Sequence, residues 1–581
     1  MSSQDRARRL ADKRESFGPE VKSLRRSEIA MQSPLSVFDS IRPRILEDVV
    51  ERARGDVPEI KIENELTAAL YLEKQRLNRD RGNLFTKSRI NRDRALWNKV
   101  QSELLNPSDL AVKQKLLDQV LSHYADEIGG HFNQGVYQFA TKIIPVFFSA
   151  LLNAAAKEAL LFWKMKHHVS DRLRITGEVE HLRKLSQKGT ILLVPTHQSN
   201  IDSILIGYVI YLMGLPPFAY GAGLNLFSNP MLSFFMSNLG AYTVDRQKSN
   251  SLYKLVLKNY STRILREGVH SIFFPGGGRA RSGAVESRLK LGLLGTALEA
   301  QLENLKQNRP KPNVYVVPMV MSYHFVLEAS SLIEDFLADS GKHRYIISDD
   351  ESSQVFKVLN FFWQVFKGES GMTVRVGSPL DVFGNPVDED GKSIGPNGTS
   401  IDPKAWLTSY GELKAEPQRD REYVRELGDT LVKKFHDTNT ILTSHLAAFT
   451  FFESLRELFP EHDLYRFLRI SLKERTMPWD HFLQKAEIMQ KRVIEAERAG
   501  MFHLSPEIHS TDVKVWVKDG LKCLGLFHGN AVLKYKEQLI YTEDMNLLYY
   551  YRNRLAGYGL SKLADPRRRI PGTTDEKGFL V

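Results

Sequence analysis

The chain has 581 residues, too many for one compact core, and its length predicts three or four structural units. Hydrophobic residues make up 42% and charged residues 26% of the sequence, which excludes a wholly disordered protein. The formal net charge of +11 predicts an anionic partner, either a nucleic acid, a phospholipid surface or a phosphorylated substrate.

Basic residues gather in three runs, at positions 8–14, 74–99 and 567–569, each of which also fits a solvated helix face or tail. The single cysteine, Cys523, excludes an intramolecular disulfide and suits a reducing compartment. No apolar stretch follows the early charges, so we expect no signal peptide.

The N-terminal part of the chain predicts helices. Residues 1–125 form a charged helical region, with the clearest periodicity at 45–52 and 64–77. Residues 126–170 form an apolar helical lead-in. Lysine, proline and glutamate interrupt its apolar run, which stays below the ~18 residues of a spanning helix, so we interpret it as a core or interfacial helix.

Short β-runs alternate with helical stretches over residues 171–383, which predicts an α/β domain with a mostly parallel sheet, flanked by helical N- and C-terminal regions. The strands are predicted at 172–175, 191–194, 218–220, 241–244, 271–274, 314–320 and 373–376. Helices are predicted between them at 203–213, 250–267 and 290–305. A loop or linker follows at 384–410, and a helical region at 411–581 contains a predicted strand at 513–517 and a helix at 547–555.

Residues 203–244 contain no charged residue and no histidine. A transmembrane pair is conceivable, but Gly214, Pro216, Pro217 and Pro230 interrupt any single span. We therefore predict that this charge-free window forms domain core together with an exposed apolar patch or a groove for an apolar chain.

A predicted strand ends just before His197, and a helix begins near Asp202. Ser199 or Asn200 is a natural N-cap, and the helix dipole favours a carboxylate in the first turn, so both residues fit a plain strand end and helix start. A tight turn would also bring the two side chains together. The carboxylate would then orient the imidazole as a general base for a hydroxyl group.

Two further segments carry arginines next to glycines. The run at 271–283 is a strand followed by Gly276, Gly277 and Gly278 and then by Arg279, Arg281 and Ser282. Glycines let the backbone approach an anion, and guanidinium groups bind phosphate bidentately; the alternative is a flexible basic loop. The segment at 239–246 ends in Asp245 and Arg246, where Arg246 is either another phosphate ligand or half of a surface ion pair.

In this order, the segments resemble the glycerolipid acyltransferase superfamily. His197 and Asp202 match its His-x4-Asp motif, and 240–246 and 274–283 match its second and third blocks. Residues 317–323, which include Pro318, match the fourth. The segments at 221–226, 323–329 and 547–553 resemble the glycerol-3-phosphate acyltransferase branch.

The resemblance implies transfer of an acyl group from acyl-CoA or acyl-carrier protein to the sn-1 hydroxyl of glycerol-3-phosphate, the first step of phospholipid synthesis. It implies catalysis by His197 and Asp202 and no metal or cofactor. The basic runs and the interrupted apolar segments predict attachment to the cytoplasmic face of an anionic membrane. No recognised nucleic-acid-binding module accompanies the basic runs, so we expect no nucleic-acid partner. The implied substrate-binding residues are Arg246, Gly277, Gly278, Arg279, Arg281, Ser282 and Pro318. The alternatives are acylation of 1-acylglycerol-3-phosphate or dihydroxyacetone phosphate, or a catalytically idle lipid-binding scaffold.

The third block departs from the family pattern at one position. The family has a glutamate directly after the proline, to which acceptor binding is assigned, and this chain has Gly276. Glu286, ten residues further on, is the candidate substitute.

Overall fold

The computed structural model describes residues 33–79, 87–105, 109–141, 173–200, 202–224, 230–340, 372–525, 528 and 530–561. The predicted apolar lead-in lies outside the described residues from position 142 onward, as do the basic runs at 8–14 and 567–569. No helix within these ranges is both long and apolar enough to cross a bilayer.

Amphipathic helices form the N-terminal region, as the sequence predicts. They are α1 (Phe38–Gly55), α2 (Ile62–Arg79), α3 (Lys87–Leu104) and α4 (Leu110–Ile128). In α4 the residues Leu117, Val120, Leu121 and Tyr124 recur at three- and four-residue spacing and are buried, which gives the helix one apolar face. These faces pack together in a core that also takes in side chains of the α/β domain, such as Tyr253.

A seven-stranded sheet forms the centre of the molecule. Its strands are β1 (Leu173–Gly177), β2 (Thr190–Pro195), β3 (Ala219–Gly223), β4 (Ala241–Val244), β5 (Ser271–Ile272), β6 (Val314–Tyr323) and β7 (Met372–Val376). The spatial order is β1-β7-β6-β2-β5-β3-β4, and every pairing is parallel except the antiparallel pairing of β6 with β7. The predicted α/β fold with a mostly parallel sheet is confirmed.

Helices join the strands and cover the sheet. They are α5 (Val179–Lys188), α6 (Asp202–Leu212), α7 (Pro230–Asn238), α8 (Ser251–Arg266), α9 (Gly295–Lys306) and α10 (Ala329–Ser340). Every residue of β2 and β6 is buried, because both faces of these central strands are covered. Both strands therefore appear in the sequence as continuous apolar runs.

The charge-free window is mainly core. Helix α6 buries Leu205, Ile206, Val209 and Ile210, so a charge on most of its faces would have to be desolvated. Among the described residues of the window, the large apolar side chain that is exposed is Phe234, at 51%.

The C-terminal region is helical with small strand pairings. Its helices are α11 (Pro403–Leu407), α12 (Pro417–Thr438), α13 (Thr443–Arg456), α14 (Leu464–Phe467), α15 (Trp479–Arg498), α16 (Val513–Gly525) and α17 (Met545–Arg552). A short 3-10 turn, Asn553–Leu555, follows α17, which confirms the helix predicted at 547–555. Side chains of α13, α16 and α17 share one apolar core with the sheet.

The strand predicted at 513–517 is wrong, because these residues begin helix α16. The alternation of Val513, Val515 and Val517 is typical of a strand. However, Trp516, Gly520 and Cys523 are buried at helical spacing, and Gly520 lies so close to α13 that a Cβ there would be 2.6 Å from the carbonyl oxygen of Thr443. Tertiary packing therefore overrides the local strand preference.

Candidate active site

The turn between β2 and α6 brings His197 and Asp202 together. Oδ2 of Asp202 lies 2.9 Å from Nδ1 of His197, and it also accepts hydrogen bonds from the backbone N–H groups of Gln198 at 2.6 Å and Ser199 at 3.0 Å. The carboxylate therefore folds the turn and orients the imidazole at the same time.

Tyr323, at the end of β6, holds the other carboxylate oxygen. Its hydroxyl donates a 2.6 Å hydrogen bond to Oδ1 of the fully buried Asp202. Burial and the Asp202 carboxylate raise the pKa of Tyr323 well above its usual value, so the phenol remains a donor. Both oxygens of Asp202 are thus occupied, and the carboxylate is fixed in one orientation.

The imidazole of His197 stacks on Phe274, with ring centroids 4.2 Å apart. The His197 main chain is held as well: its N–H donates to Oε1 of Glu286 at 2.6 Å, and its carbonyl accepts from the N–H of Ala280 at 2.7 Å. Within the described part of the chain, Nε2 has no hydrogen-bond partner. This nitrogen is therefore available to take a proton from a substrate.

The glycine-rich turn is shaped by its neighbours. Gly277 has φ of 68°, and a Cβ there would lie 2.5 Å from the side chain of Lys290. A Cβ at Gly278 would lie 3.9 Å from Nη1 of Arg246. The glycines therefore let the turn pass close to two cationic side chains, which is the arrangement expected of an anion site.

Two of the three predicted arginines are close together. Partial burial of the guanidinium and the nearby charge of Arg279 lower the pKa of Arg246, although the residue as a whole stays exposed. Arg279 lies 3.5 Å from a carboxylate oxygen of Glu328. Arg281, in contrast, forms an ion pair with Asp339 in which both side chains are half exposed. An anion between Arg246 and Arg279 would relieve their mutual repulsion.

Glu328, directly before α10, connects two of the motifs. It is fully buried and accepts hydrogen bonds from the hydroxyl of Ser199 at 2.8 Å and the N–H of Asn200 at 3.1 Å, while Arg279 faces it. Burial raises its pKa, and Arg279 opposes that shift. The sequence alone did not identify Glu328 as a site residue. The signal that could have identified it is its place in the segment at 323–329, which resembles the glycerol-3-phosphate acyltransferase branch.

The remaining predicted residues differ in their surroundings. The carbonyl of Ser282 accepts a 2.9 Å hydrogen bond from Nδ2 of Asn553, so the C-terminal helix supports the segment behind the glycine turn. Pro318 is buried inside β6, and its carbonyl accepts from the N–H of Gly377 at 2.8 Å. The binding roles of Ser282 and Pro318 remain predictions, as do those of the turn glycines and the arginines.

Arg554 braces the end of β6 from the far end of the chain. Its buried guanidinium donates to the carbonyl of Met321 at 2.8 Å and to the hydroxyl of Ser322 at 3.2 Å. In the same region, the hydroxyl of Tyr551 accepts from the N–H of Val326 at 3.1 Å. The C-terminal segment at 547–555 therefore packs against the end of β6 and the segment that follows it.

Two sets of potential metal ligands occur among the described residues, and neither contains His197. Asp93, His123 and Glu127 form one set, but the Lys248 ammonium lies 3.3 Å from Asp93 and repels a cation there. His324, Asp519 and Cys523 form the other set.

The chain is similar in sequence to known acyltransferases. Residues 176–322 match the family model described as Acyltransferase. The chain is 34% identical over 158 residues to the glycerol-3-phosphate acyltransferase of Histophilus somni. This alignment covers 27% of this chain and 19% of that protein. For the Aeromonas hydrophila enzyme of the same name, the identity is 36% over 161 residues, with the same two coverages. For the Pseudomonas aeruginosa enzyme it is 26% over 270 residues, 46% of this chain and 28% of that protein.

The chain spans only 19% to 28% of the length of these relatives. Among solved structures, it is similar to the 1-acyl-sn-glycerophosphate acyltransferase of Thermotoga maritima at 15% identity. That match covers 50% of this chain and 96% of the other, and its TM-score of 0.23 is too low to support an argument.

Residues 176–322, which include the central strands of the sheet and the His197–Asp202 pair, form an acyltransferase domain. The sequence of this part of the chain is similar to those of the glycerol-3-phosphate acyltransferases.

Proposed function

We propose that this protein transfers a fatty acyl group from a thioester donor to the sn-1 hydroxyl of glycerol-3-phosphate. The observation that carries the proposal is the oriented His197–Asp202 pair next to a glycine-rich turn with two neighbouring arginines. The relatives named glycerol-3-phosphate acyltransferase support the choice of acceptor.

In this mechanism, Nε2 of His197 takes the proton of the acceptor hydroxyl as its oxygen attacks the thioester carbonyl carbon. Asp202 accepts the hydrogen bond of Nδ1–H and stabilises the imidazolium. When the tetrahedral intermediate collapses, the C–S bond breaks and the imidazolium returns the proton to the leaving thiolate. General-base catalysis of this kind contributes about 10² to 10⁴-fold.

Arg246 and Arg279 bind the acceptor phosphate in this proposal. Guanidinium groups match phosphate geometry, and two close cations are stabilised by a doubly charged anion. Arg281 is a weaker candidate for phosphate binding, because it forms an ion pair with Asp339 at the surface.

We also propose that the protein works at the cytoplasmic face of an anionic membrane, bound peripherally or monotopically. The formal net charge of +11 and the exposed Phe234 in the charge-free window support this placement. The acylated product, a lysophosphatidic acid, would accumulate at a membrane surface.

The decisive assay supplies radiolabelled glycerol-3-phosphate with either acyl-CoA or acyl-carrier protein and separates the products by chromatography. We expect 1-acylglycerol-3-phosphate, and a His197→Ala preparation is the negative control. In parallel reactions, dihydroxyacetone phosphate or 1-acylglycerol-3-phosphate replaces glycerol-3-phosphate, and the acyl donor carries the radiolabel. A product from one of these rivals alone would reassign the acceptor, and no product with any acceptor would support an idle lipid-binding scaffold.

A further inference from the structure

Gly276 leaves a space that another side chain fills. A Cβ at Gly276 would lie 3.1 Å from Cγ and 3.6 Å from Oε1 of Glu286. Gly276 is absent from the positive-φ glycines of the described chain, so its backbone conformation is open to any residue. The side chain missing at position 276 is therefore replaced in space by the carboxyl-bearing arm of Glu286.

The loop between the glycine turn and Glu286 has a defined path. The N–H of Ala280 binds the carbonyl of His197, and Asn553 binds the carbonyl of Ser282. Gly283, with φ of 78°, passes so close to Tyr550 that a Cβ would collide with its carbonyl oxygen. These contacts fold the loop back on itself and place Glu286 beside the glycine-rich turn.

The two oxygens of Glu286 have different surroundings. Oε1 accepts the 2.6 Å hydrogen bond from the N–H of His197. Oε2 is buried and has no hydrogen-bond partner among the described residues. A buried acceptor without a partner costs free energy, which a hydroxyl group placed against it would recover.

Arg554 and His197, on two other segments, face this carboxyl. Burial raises the pKa of Glu286 to about 7, while the N–H of His197, the N–H of Glu286 itself, the charge of Arg554 and the imidazole of His197 act against the rise. A carboxyl group that titrates near neutral pH can both donate to and accept from a polyol.

We propose that Glu286 supplies, from ten residues downstream, the carboxyl group that the third block lacks at position 276. Oε1 positions the main chain of His197, and Oε2 binds a hydroxyl group of the polyol phosphate acceptor. This inference rests on the proposed acyl transfer to glycerol-3-phosphate. The competing explanation is that Glu286 only caps the turn after β2.

A swap of the carboxyl between the two positions distinguishes these explanations. The variants are Glu286→Ala, Glu286→Gln, Gly276→Glu and the double variant Gly276→Glu/Glu286→Ala, with Ser287→Ala as the matched control. Each is first checked for folding by circular dichroism and thermal unfolding. The double variant matters most, because truncating Glu286 opens the space that a glutamate at 276 needs.

We expect Glu286→Ala to raise the KM for glycerol-3-phosphate by about tenfold or more, with the donor KM nearly unchanged, because the carboxyl that binds the acceptor is lost. The kcat should also fall, because the N–H of His197 loses its acceptor. The double variant should recover most of the lost acceptor affinity. Gly276→Glu alone should be impaired, because Glu286 still occupies the space that the new side chain needs. Ser287→Ala should match the wild type. A folded double variant that performs no better than Glu286→Ala would overturn the inference, as would an unchanged acceptor KM in Glu286→Ala.

Calorimetric binding of glycerol-3-phosphate separates this inference from the proposed function. If the wild type forms no acylated product but binds glycerol-3-phosphate through Glu286, the proposed activity fails and the binding role stands. If the wild type is active and Glu286→Ala binds the acceptor equally well, the activity stands and the binding role fails.

Discussion

Nη2 of Arg89 in α3 lies 3.0 Å from Oδ2 of Asp245, the residue directly before Arg246. In the same loop, the fully buried Lys248 pairs with Glu127 of α4 and lies 3.3 Å from Asp93 of α3. The N-terminal helices thus hold the loop after β4 through buried charges, which are costly to leave unpaired. This contact gives the N-terminal region a structural connection to the candidate phosphate site.

Arg89→Ala should raise the KM for glycerol-3-phosphate several-fold and change turnover less, because the loop that carries Arg246 loses one of its anchors. Steady-state kinetics with each substrate varied in turn would measure this. Arg54→Ala is the control, since its pair with Asp118 is exposed and contributes at most about 1 kcal/mol. Equal effects of the two substitutions would contradict a specific role for Arg89.

His197→Ala should fold and lose about 10² to 10⁴-fold in kcat, because the proposed general base is removed. Asp202→Asn should also lose most activity, since an amide cannot accept the Nδ1–H bond and the Tyr323 bond in the same way. Tyr323→Phe should have a smaller effect, because it frees one oxygen of Asp202 without removing the pair. Tyr410→Phe, at a 97% exposed tyrosine, is the control. Wild-type rates in His197→Ala or Asp202→Asn would remove the pair from the mechanism.

The arginines should separate into two classes. Arg246→Ala and Arg279→Ala should each raise the acceptor KM by about tenfold or more, with a small change in the donor KM, because they share one site. Arg281→Ala should resemble Asp339→Ala, since the two residues pair at the surface. The measurement is acceptor and donor KM for all four variants. A large effect of Arg281→Ala alone would place the phosphate elsewhere.

Glu286→Gln should change how stability depends on pH. The pKa of Glu286 is raised from 4.5 to about 7, so between these values the folded state keeps a proton that the unfolded state has released. Relative to Glu286→Gln, the wild type should therefore lose stability as pH rises from about 4.5 to about 7, by on the order of 2 to 4 kcal/mol. Urea unfolding across this range would measure the difference, with the exposed Glu422→Gln as control. Parallel curves would mean that Glu286 titrates normally.

Binding to anionic vesicles should have a salt-sensitive part and a salt-resistant part. Surface cations contribute roughly 1 kcal/mol each near an anionic leaflet and are screened by salt, whereas apolar contacts are not. High salt should therefore release only part of the protein, and salt with mild detergent nearly all of it. Phe234→Ser should increase the salt-released fraction, and Tyr410→Ser should not. Complete release by salt alone would exclude an apolar contribution.

The sequence predicted the sheet well, because its central strands β2 and β6 are buried apolar runs bounded by turn residues. The His197–Asp202 pair was predictable for the same local reason, since one short turn joins the two residues. The contacts of Glu286, Glu328, Arg554 and Arg89 were not predictable, because each joins segments that only the folded chain brings together. The failure at 513–517 has the same origin, as packing against α13 decides its conformation.

The bracing of β6 by Arg554 also sets a time order for biosynthesis. A ribosome adds about 5–20 residues per second, so Arg554 follows His197 by roughly 20 to 70 s. Until then the nascent chain has the base and its carboxylate but not the groups that secure β6 and the loop behind the glycine turn. A chain released before Arg554 would therefore carry the acyltransferase motifs without a finished site, and only a polypeptide that extends past Arg554 would have the groups that secure β6.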